Sequence, residues 1–485
     1  MDWPLAAELP ILTGEPFLLE MGVSGLPPER LYPLLAPRRH ESLLLSGGTH
    51  PLSQRSYIGL DPFLVFTSRG RSVALEGPRG TKTREHDGEP FLTLSHLSRL
   101  YRKTAGPGFP PFWSGAIGFL GYELGRRLEK LPGSTLDDLG LPDLCLAFYR
   151  HLLSYSHRLQ TYTLCGCDLL GEGSGPREEV LRRLRRALET GERQGPGSPA
   201  FAPSTLPFRL QSNFSRSGYL SAIRRVQEYI CEGDIYQANL SQRFQTPFNG
   251  DPYGLFLKLF EINPAPFFAY LDCGPFQVIS SSPERFLHLR DGLVETRPIK
   301  GTLPRGRTPE EDVANRDSLP KSEKNRAELA MITDLLRNDL GRVSEYGSVH
   351  VADPVHLETY TNVFHLVSIV RSRLAQGKDA IDLIRATFPG GSVTGCPKIR
   401  SMQIIEELEP TVRSVYTGSI GYLGLDGALD LNIAIRSLLL KNEVLSFQVG
   451  GGIVYDSDPE AEYEETLHKA ASMKAAILAT VRPDR

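Results

Sequence analysis

The stretch GSIGYLGLDGALDLNIAIRSLLLKNEVLSFQVGGG, Gly418 to Gly452, contains three strand candidates in succession with no helix between them. These are GSIGYL, LDLNIAIRSLLL and VLSFQVGG, and IYQANLSQRF, FQVISSS and FLHLRDGLVETRPI precede them. Helical spacing of apolar residues occurs elsewhere, as in SGYLSAIRRVQEYICEGD, with Ser217 as a cap and Gly233 as a stop. Strands and helices therefore come in uneven runs and not in a regular βαβ alternation. This pattern predicts an α+β fold with mixed or antiparallel sheets.

The composition is that of an ordinary globular protein of 485 residues. Charged residues make up 23%, apolar residues 40%, and the net charge is -3. This balance argues against a nucleic-acid or membrane-surface binder that relies on bulk charge, so any basic site must be local. No apolar run reaches about eighteen residues, and the acidic, proline-broken N-terminus does not resemble a secretory signal, which predicts a cytoplasmic protein. The six cysteines show no paired CxxC spacing, so neither a disulfide framework nor a structural zinc site is expected.

One stretch without periodic pattern divides the chain. Residues 189–208, ETGERQGPGSPAFAPSTLPF, are rich in Gly, Pro, Ser and Ala and lack a periodic pattern, which predicts a linker. The linker separates an N-terminal region, 1–188, from a C-terminal region, 209–485. A helix with the sequence REEVLRRLRRALET is expected directly before it.

Several carboxylates lie on or beside apolar helix faces. In AELAMITDLLRNDLGRV the apolar arc contains Glu328 and Asp339, and a carboxylate facing a core needs a metal, a base or backbone N–H groups. Near the C-terminus, Glu462 and Glu465 lie three apart beside an apolar stripe. Glu328 could instead cap its helix, and Glu465 could simply pair with Lys469 on a solvated face. The functional alternative is a hard-cation site in which Glu328, Glu462 and Glu465 hold Mg²⁺.

Two glycine-rich loops are of a kind that can bind an anion. FPGGSVTGCPKIRSM runs through Ser392 into a helix with free N–H groups, and FQVGGGIV lets backbone approach a ligand closely. Either loop could be only a tight turn. Arg436 interrupts an apolar strand, so its guanidinium needs an anionic partner, which could be a ligand or an internal carboxylate.

The carboxylates, glycine-rich loops and strands described above resemble those of the chorismate-utilising enzymes, in particular the branch that forms aminodeoxychorismate for p-aminobenzoate and folate synthesis. The matching stretches span nearly the whole chain and include GAIGFLGYELGRRLEKLP, GDIYQANLSQRF, SSSPERFL, RPIKGT, AELAMITDLLRNDLGRV, NVFHLVS, PGGSVTGCPKIRSM, GSIGYLGLDGALDLNIAIRS, QVGGGIVYDS and AEYEETLHKA. The resemblance implies a fold in which two large, twisted antiparallel sheets pack face to face with flanking helices. It makes 1–188 the family's N-terminal region and 209–485 its chorismate-binding catalytic region.

The resemblance also implies roles for individual residues. It makes Glu328 and Glu465 magnesium ligands with Glu462 alongside, and Glu284 the general acid that helps the ring hydroxyl leave. The residues that it places around chorismate are Thr302, His365, Ser392, Tyr416, Arg436, Gly450, Gly451, Gly452 and Lys469.

Two further positions distinguish branches of the family. Members that form anthranilate carry alanine where this chain has Lys300, which in the aminodeoxychorismate branch is the amine that adds to the ring. Such an amine must lose its proton, and Arg297, Arg305, Arg307 or the metal would lower its pKa if they are close. Members that add water carry lysine where this chain has Gln237, and a glutamine cannot act as a base at pH 7.

The ammonia must come from elsewhere, because none of the cysteine contexts resembles a glutaminase nucleophile. We therefore expect a separate glutamine amidotransferase subunit as the partner. The alternatives are an anthranilate synthase component I, which Lys300 disfavours, and a non-catalytic chorismate-binding protein, which the acidic residues disfavour.

Overall fold

A computed structural model describes residues 9–48, 50–78, 83–171, 173–194 and 201–482. Within these ranges the α-helices are α1 Pro28–Leu34, α2 Pro90–Leu100, α3 Gly175–Gln194, α4 Arg216–Cys231, α5 Pro252–Ile262, α6 Pro309–Ser318, α7 Glu323–Gly341, α8 Ala380–Thr387, α9 Lys398–Leu408 and α10 Pro459–Ala479. Short 3-10 helices occupy Tyr122–Arg127, Leu319–Lys321 and Gly391–Val393.

The strands alternate with these helices in uneven runs. They are β1 Phe17–Val23, β2 Ser42–Leu45, β3 Arg55–Arg69, β4 Ser72–Glu76, β5 Thr83–Asp87, β6 Gly115–Leu120, β7 Leu144–Ser156, β8 Thr161–Gly166, β9 Gln211–Ser212, β10 Gln237–Pro247, β11 Phe267–Asp272, β12 Phe276–Ser282, β13 Arg285–Arg290, β14 Leu293–Thr296, β15 Ile299–Pro304, β16 His350–Thr359, β17 Val363–Arg373, β18 Gly395–Cys396, β19 Ser419–Gly424, β20 Leu429–Asn432, β21 Ser437–Lys441 and β22 Val444–Ile453. The predicted α+β class is confirmed.

The strand pairings form two arms that meet at the long strands β3 and β7. The first arm runs β3, β2, β11, β12, β21, β22 and β10. The second arm runs β7, β6, β19, β20, β13, β14, β17 and β16, with β15 beside β17. Every one of these pairs is antiparallel, and β3 pairs with β7 along nearly its whole length. The two expected sheets are thus continuous with each other, because β3 and β7 are long enough to serve both.

The two arms pack against each other through their apolar faces. One buried cluster contains Leu271 and Val278 from the first arm together with Phe119 and Ile420 from the second. Outside the arms, α7 packs on β15 and β17, and α10 packs on β22. The α7 arc buries Leu329, Ile332, Leu336 and Leu340, each worth about 1.5–3 kcal/mol of burial. These contacts bring the acidic residues of α7 and α10 toward β15 and β22.

The predicted elements differ from the structure in three details. Helix α4 is capped by Ser215, whose side chain accepts from Gly218 N, so the cap predicted at Ser217 is wrong by two residues. The predicted strand LDLNIAIRSLLL is two strands, β20 and β21, because Arg436 adopts a positive φ of 51° that breaks the pleat. Of the predicted linker, 189–194 continue α3 and 195–200 lie outside the described residues.

The two predicted regions share one strand network. Strand β6 of the N-terminal region pairs with β19, and β2 pairs with β11. In the described ranges no helix combines the length and the apolar character that crossing a membrane requires.

Candidate active site

Three neighbouring strands bring together a threonine and a histidine. Thr302 of β15 and Glu358 of β16 both lie opposite His365 of β17. Thr302 Oγ1 lies 2.8 Å from His365 Nδ1, while the buried Nε2 atom has no partner among the described residues. Burial and the Arg436 guanidinium lower the pKa of His365 to about 3, so the ring is neutral at physiological pH. A neutral imidazole with one unpaired buried nitrogen is suited to bind a polar ligand.

Glu284 is a buried carboxyl at the turn between β12 and β13. Its side chain is enclosed, and the Ser392 hydroxyl donates to Oε1 at 2.7 Å. Burial raises the pKa of Glu284 to about 7, although Ser392, Lys300 and Arg436 act in the opposite direction. A carboxyl that is about half protonated at pH 7 can donate a proton to a leaving group.

Lys300 lies on β15 and points into the interior, with a side chain only 12% exposed. Its Nζ atom is 4.0 Å from Glu328 Oε2 of α7. Burial lowers the pKa of Lys300; Glu328 opposes this effect and Lys469 adds to it. Of the arginines considered from the sequence, Arg297 pairs with Glu358 and Arg305 pairs with Asp312, and the cation that acts together with burial to lower the pKa of Lys300 is Lys469.

Gln237 and the glycines of β22 form the surface beside the lysine. The Gln237 amide is fully buried, and neither its Nε2 nor its Oε1 atom has a partner in the described part of the chain. A Cβ atom at Gly452 would lie 2.8 Å from Gln237 Nε2 and 3.1 Å from Lys300 Nζ. Only glycine therefore leaves room for the amide and the amine to face the same space.

Gly450 and Gly451 continue this surface toward α10. A Cβ atom at Gly450 would lie 2.4 Å from the Leu240 carbonyl oxygen on the paired strand β10. A Cβ atom at Gly451 would lie 3.2 Å from Glu462 Oε2 and 3.9 Å from Glu465 Oε1. The predicted glycines thus lie between the acidic residues of α10 on one side and β10 on the other.

The carboxylates of α10 have local partners. The Ser457 hydroxyl donates to Glu462 Oε1 at 2.7 Å, and burial with Glu465 nearby raises the pKa of Glu462. Lys469 Nζ lies 2.7 Å from Glu465 Oε1 and donates to the Gly450 carbonyl at 2.9 Å. Burial acts to raise the pKa of Glu465, but Lys469, Lys324 and Lys300 together outweigh it, so the pKa lies below its usual value.

The donor atoms fit a hard cation by their chemistry, since Mg²⁺ prefers carboxylate oxygens. Within the described ranges, however, no three His, Cys, Asp or Glu side chains are grouped closely enough to hold a metal ion. Glu328 faces Lys300, and Glu465 faces Lys469. A ligand set of Glu328, Glu462 and Glu465 would therefore require the two amines to release their carboxylates.

Arg436 is a cation near both His365 and Glu284. Its charge lowers the pKa of each of them. Its carbonyl accepts hydrogen bonds from Ser281 N and Oγ, both at 3.0 Å. Across the described residues its guanidinium makes no ion pair and no side-chain hydrogen bond, so the internal salt bridge considered from the sequence is not formed. Such a cation is suited to a carboxylate of a ligand.

Tyr416, the remaining predicted contact, lies outside this immediate cluster of hydrogen bonds. Its ring is buried beside the Arg413 guanidinium, 5.9 Å from the ring centroid. Arg413 pairs in turn with Glu409 at 2.7 Å. Burial raises the pKa of Tyr416, so its phenol stays protonated.

Asp339, expected from the sequence to need a metal, a base or backbone N–H groups, meets a base: Nζ of Lys398 on α9 lies 2.5 Å from its Oδ2.

Two residues beside the site were not found from the sequence. Tyr360 and Glu358 lie behind His365, and Tyr360 contacts it edge-on at 5.0 Å. Neither residue lies in a stretch that matched the family, so no sequence signal identified them.

The chain is similar along most of its length to known enzymes. Residues 56–475 match the family described as chorismate binding enzyme. Aminodeoxychorismate synthase component 1 of Bacillus subtilis is 38% identical over 446 residues, which cover 92% of this chain and 93% of that protein. Anthranilate synthase component 1 of Thermus thermophilus is 41% identical over 402 residues, which cover 81% of this chain and 84% of that protein.

A solved structure gives the same result. The crystal structure of anthranilate synthase component I from Streptococcus pneumoniae superposes with a TM-score of 0.76 at 33% identity, covering 87% of this chain and 92% of that one. The long match to the family, the high identity to two of its enzymes and the shared fold agree with one another. The chain therefore belongs to the chorismate-binding enzymes.

Proposed function

We propose that this enzyme converts chorismate and ammonia to aminodeoxychorismate, with Lys300 as the nucleophile. The observation that carries the proposal is the position of the Lys300 amine, which is buried 4.0 Å from Glu328 Oε2 and faces Gly452, as the Gln237 amide also does. Burial also lowers the pKa of this amine, which increases the fraction that is neutral and able to attack.

The reaction would proceed in two balanced steps. The neutral Lys300 amine adds to the ring carbon beside the ring carboxylate, the double bonds shift, and the distal hydroxyl leaves as water after taking a proton from Glu284. Ammonia then adds at the vacated carbon, the double bonds shift back, and the lysine leaves as an amine. The proton that ammonia loses restores Glu284, so the net change is the replacement of a hydroxyl by an amino group.

The surrounding side chains would bind and orient the ring. Arg436 and the neutral His365, held by Thr302, offer donors to a carboxylate and a polar oxygen. Mg²⁺, when bound by Glu328 and Glu465 with Glu462 alongside, would neutralise and anchor the ring carboxylate. Ser392 holds Glu284 in place. Gln237 offers an amide and no base, so water would not be activated at this position.

The ammonia would be supplied by a separate glutamine amidotransferase subunit. Both relatives named above are called component 1, which supports a second component. We place the enzyme in the cytoplasm, in the synthesis of p-aminobenzoate and folate. Purified alone, the chain should use ammonium salts and should fail with glutamine; glutamine-dependent turnover by the single chain would contradict this arrangement.

Anthranilate synthesis is the second candidate, because anthranilate synthases are about as similar to the chain as aminodeoxychorismate synthases. The two are separated by incubating the enzyme with chorismate, Mg²⁺ and ammonium and resolving the products by chromatography. We expect aminodeoxychorismate. Anthranilate as the main product would overturn the proposal, and the absence of any turnover would favour a protein that only binds chorismate.

A further inference from the structure

A buried group of four side chains lies behind the candidate active site, and one of them comes from the N-terminal region. We call it the Glu358 group: His50, Arg297, Glu358 and Tyr360. Glu358 Oε1 accepts a hydrogen bond from Arg297 Nη2 at 2.6 Å. The other carboxylate oxygen, Oε2, lies 3.2 Å from His50 Nε2 and 2.9 Å from the Tyr360 hydroxyl. The side chains of His50 and Glu358 are only 5% and 4% exposed.

The tautomer of His50 is set by its own loop. Leu52 N donates to His50 Nδ1 at 3.2 Å, so this nitrogen is an acceptor and the ring proton lies on Nε2. Nε2 faces Glu358, to which it can donate without the ring being charged. The His50 ring also stacks on Tyr360, with centroids 4.7 Å apart and planes at 16°. His50 thus fixes Tyr360 both through Glu358 and by direct contact.

The group contacts the backbone on both sides of Glu284. The Tyr360 hydroxyl lies 3.3 Å from the carbonyl oxygen of Pro283, the residue before Glu284. Arg297 N donates to the carbonyl of Arg285, the residue after it, at 3.3 Å. The position of the carboxyl therefore depends on where Tyr360 and Arg297 are held.

The same group supports His365. The Tyr360 ring packs edge-on against the His365 ring at 5.0 Å, and Glu358 lies opposite His365 in the strand pairing. His365 has a second support in Thr302, which bonds Nδ1 from the other neighbouring strand. The Glu358 group meets His365 by ring packing and strand pairing only, whereas it forms hydrogen bonds to the backbone on both sides of Glu284. Its loss should therefore disturb Glu284 more than His365, although Ser392 still bonds Glu284 Oε1.

We propose that His50 is a positioning residue of the active site, which acts through Glu358 and Tyr360 to hold Glu284 in place for proton donation. This inference rests on the proposed function for the role of Glu284. It gives the N-terminal region an indirect part in the chemistry of the C-terminal region.

The test compares substitutions that separate the hydrogen bond from the ring stacking. His50→Phe keeps an aromatic ring beside Tyr360 and deletes the donor to Glu358, whereas His50→Gln keeps an N–H donor. We expect His50→Phe to lower kcat about tenfold while the KM for chorismate changes less than about twofold, because a displaced acid slows the reaction and Thr302 still holds His365. His50→Gln should recover most of kcat.

The matched control is His157→Phe, since His157 also belongs to the N-terminal region, bonds Ser56 Oγ at 2.7 Å and packs on Tyr155. We expect its kcat to be unchanged. Thermal unfolding of each variant separates loss of fold from loss of positioning, and Tyr360→Phe, which removes only a hydroxyl, replaces His50→Phe if that variant does not fold.

An unchanged kcat in both His50→Phe and Tyr360→Phe would overturn the inference. Equal losses in His50→Phe, His50→Gln and the control, or an effect on KM alone, would also overturn it. Rates are taken from whichever product the wild-type enzyme forms. If that product is anthranilate, the proposed function fails while the role of His50 is still decided.

Discussion

Replacing Glu284 by glutamine tests the proton donor directly. The glutamine keeps the shape of the side chain and a partner for Ser392, and it removes the acidic proton. The variant should therefore fold and bind chorismate but lose general acid catalysis, which is typically worth about 10²–10⁴-fold. The informative quantity is the ratio of kcat/KM for the wild type to kcat/KM for Glu284→Gln at each pH. Groups that do not interact with Glu284 titrate alike in both proteins and cancel, so the ratio reports the titration of Glu284 together with its effect on Lys300, whose pKa the Glu284 charge raises.

The pKa of about 7 for Glu284 sets the magnitude. Because the acid form is the active one, the ratio should be constant below about pH 6 and fall to about half of that value at pH 7. It should reach about a tenth at pH 8 and about a hundredth at pH 9, since each unit above the pKa reduces the protonated fraction tenfold. The sign follows from burial, which raises the pKa of Glu284 and so keeps the proton available near neutrality.

The assay measures initial rates of product formation from pH 5.5 to 9, with Mg²⁺ present and the concentration of neutral ammonia held equal at every pH. Ser392→Ala provides a second check. The Ser392 hydroxyl lowers the pKa of Glu284, so its removal should move the break in the wild-type profile to higher pH. A ratio that stays constant from pH 6 to 9 would show that Glu284 is not the proton donor, and the mechanism would need another acid.

Three further substitutions test the site and its support. Lys300→Ala should abolish most aminodeoxychorismate formation and can yield some anthranilate, as measured by product chromatography; an unchanged product and rate would remove Lys300 as the nucleophile. Gly452→Ala should lower kcat about 10- to 100-fold with little loss of stability, because its methyl group displaces only the ends of two flexible side chains. Gly450→Ala is the contrasting variant: its methyl group meets a backbone carbonyl, so it should destabilise the fold in a urea titration. Lys398→Met should lower the free energy of unfolding by about 3–5 kcal/mol, because it leaves Asp339 buried without a cation. Adding Asp339→Asn should recover part of that loss. Equal stability of the single and the double variant would refute the pairing.

The sequence predicted the classes of interaction more reliably than the partners. A carboxylate within the apolar arc of α7 was expected to meet a metal, a base or backbone N–H groups, and Asp339 meets a base. The base, Lys398, is 59 residues away, and its approach depends on the packing that brings the first residue of α9 beside the end of α7. Nothing in the local sequence specifies that packing, so the partner could not be predicted.

The environment of Lys300 shows the same limit. Arg297 and Arg305 are close to Lys300 in sequence, but their side chains form ion pairs with the carboxylates of Glu358 and Asp312, respectively. The cation that does influence the amine, Lys469, comes from the last helix. Neighbours along a strand point to opposite faces, so sequence proximity is a poor guide to electrostatic proximity. The interior location of Lys300 itself, in contrast, agrees with the motif around it.

The pairing of β6 with β19 and of β2 with β11 has a practical consequence for work with fragments. Removing residues 1–208 to isolate the catalytic half would leave the edges of β11 and β19 without partners and expose the apolar cluster between the arms. Unpaired edges of this kind recruit other chains. A truncated protein should therefore collect in inclusion bodies, and co-expression of the missing half as a separate polypeptide should return it to solution.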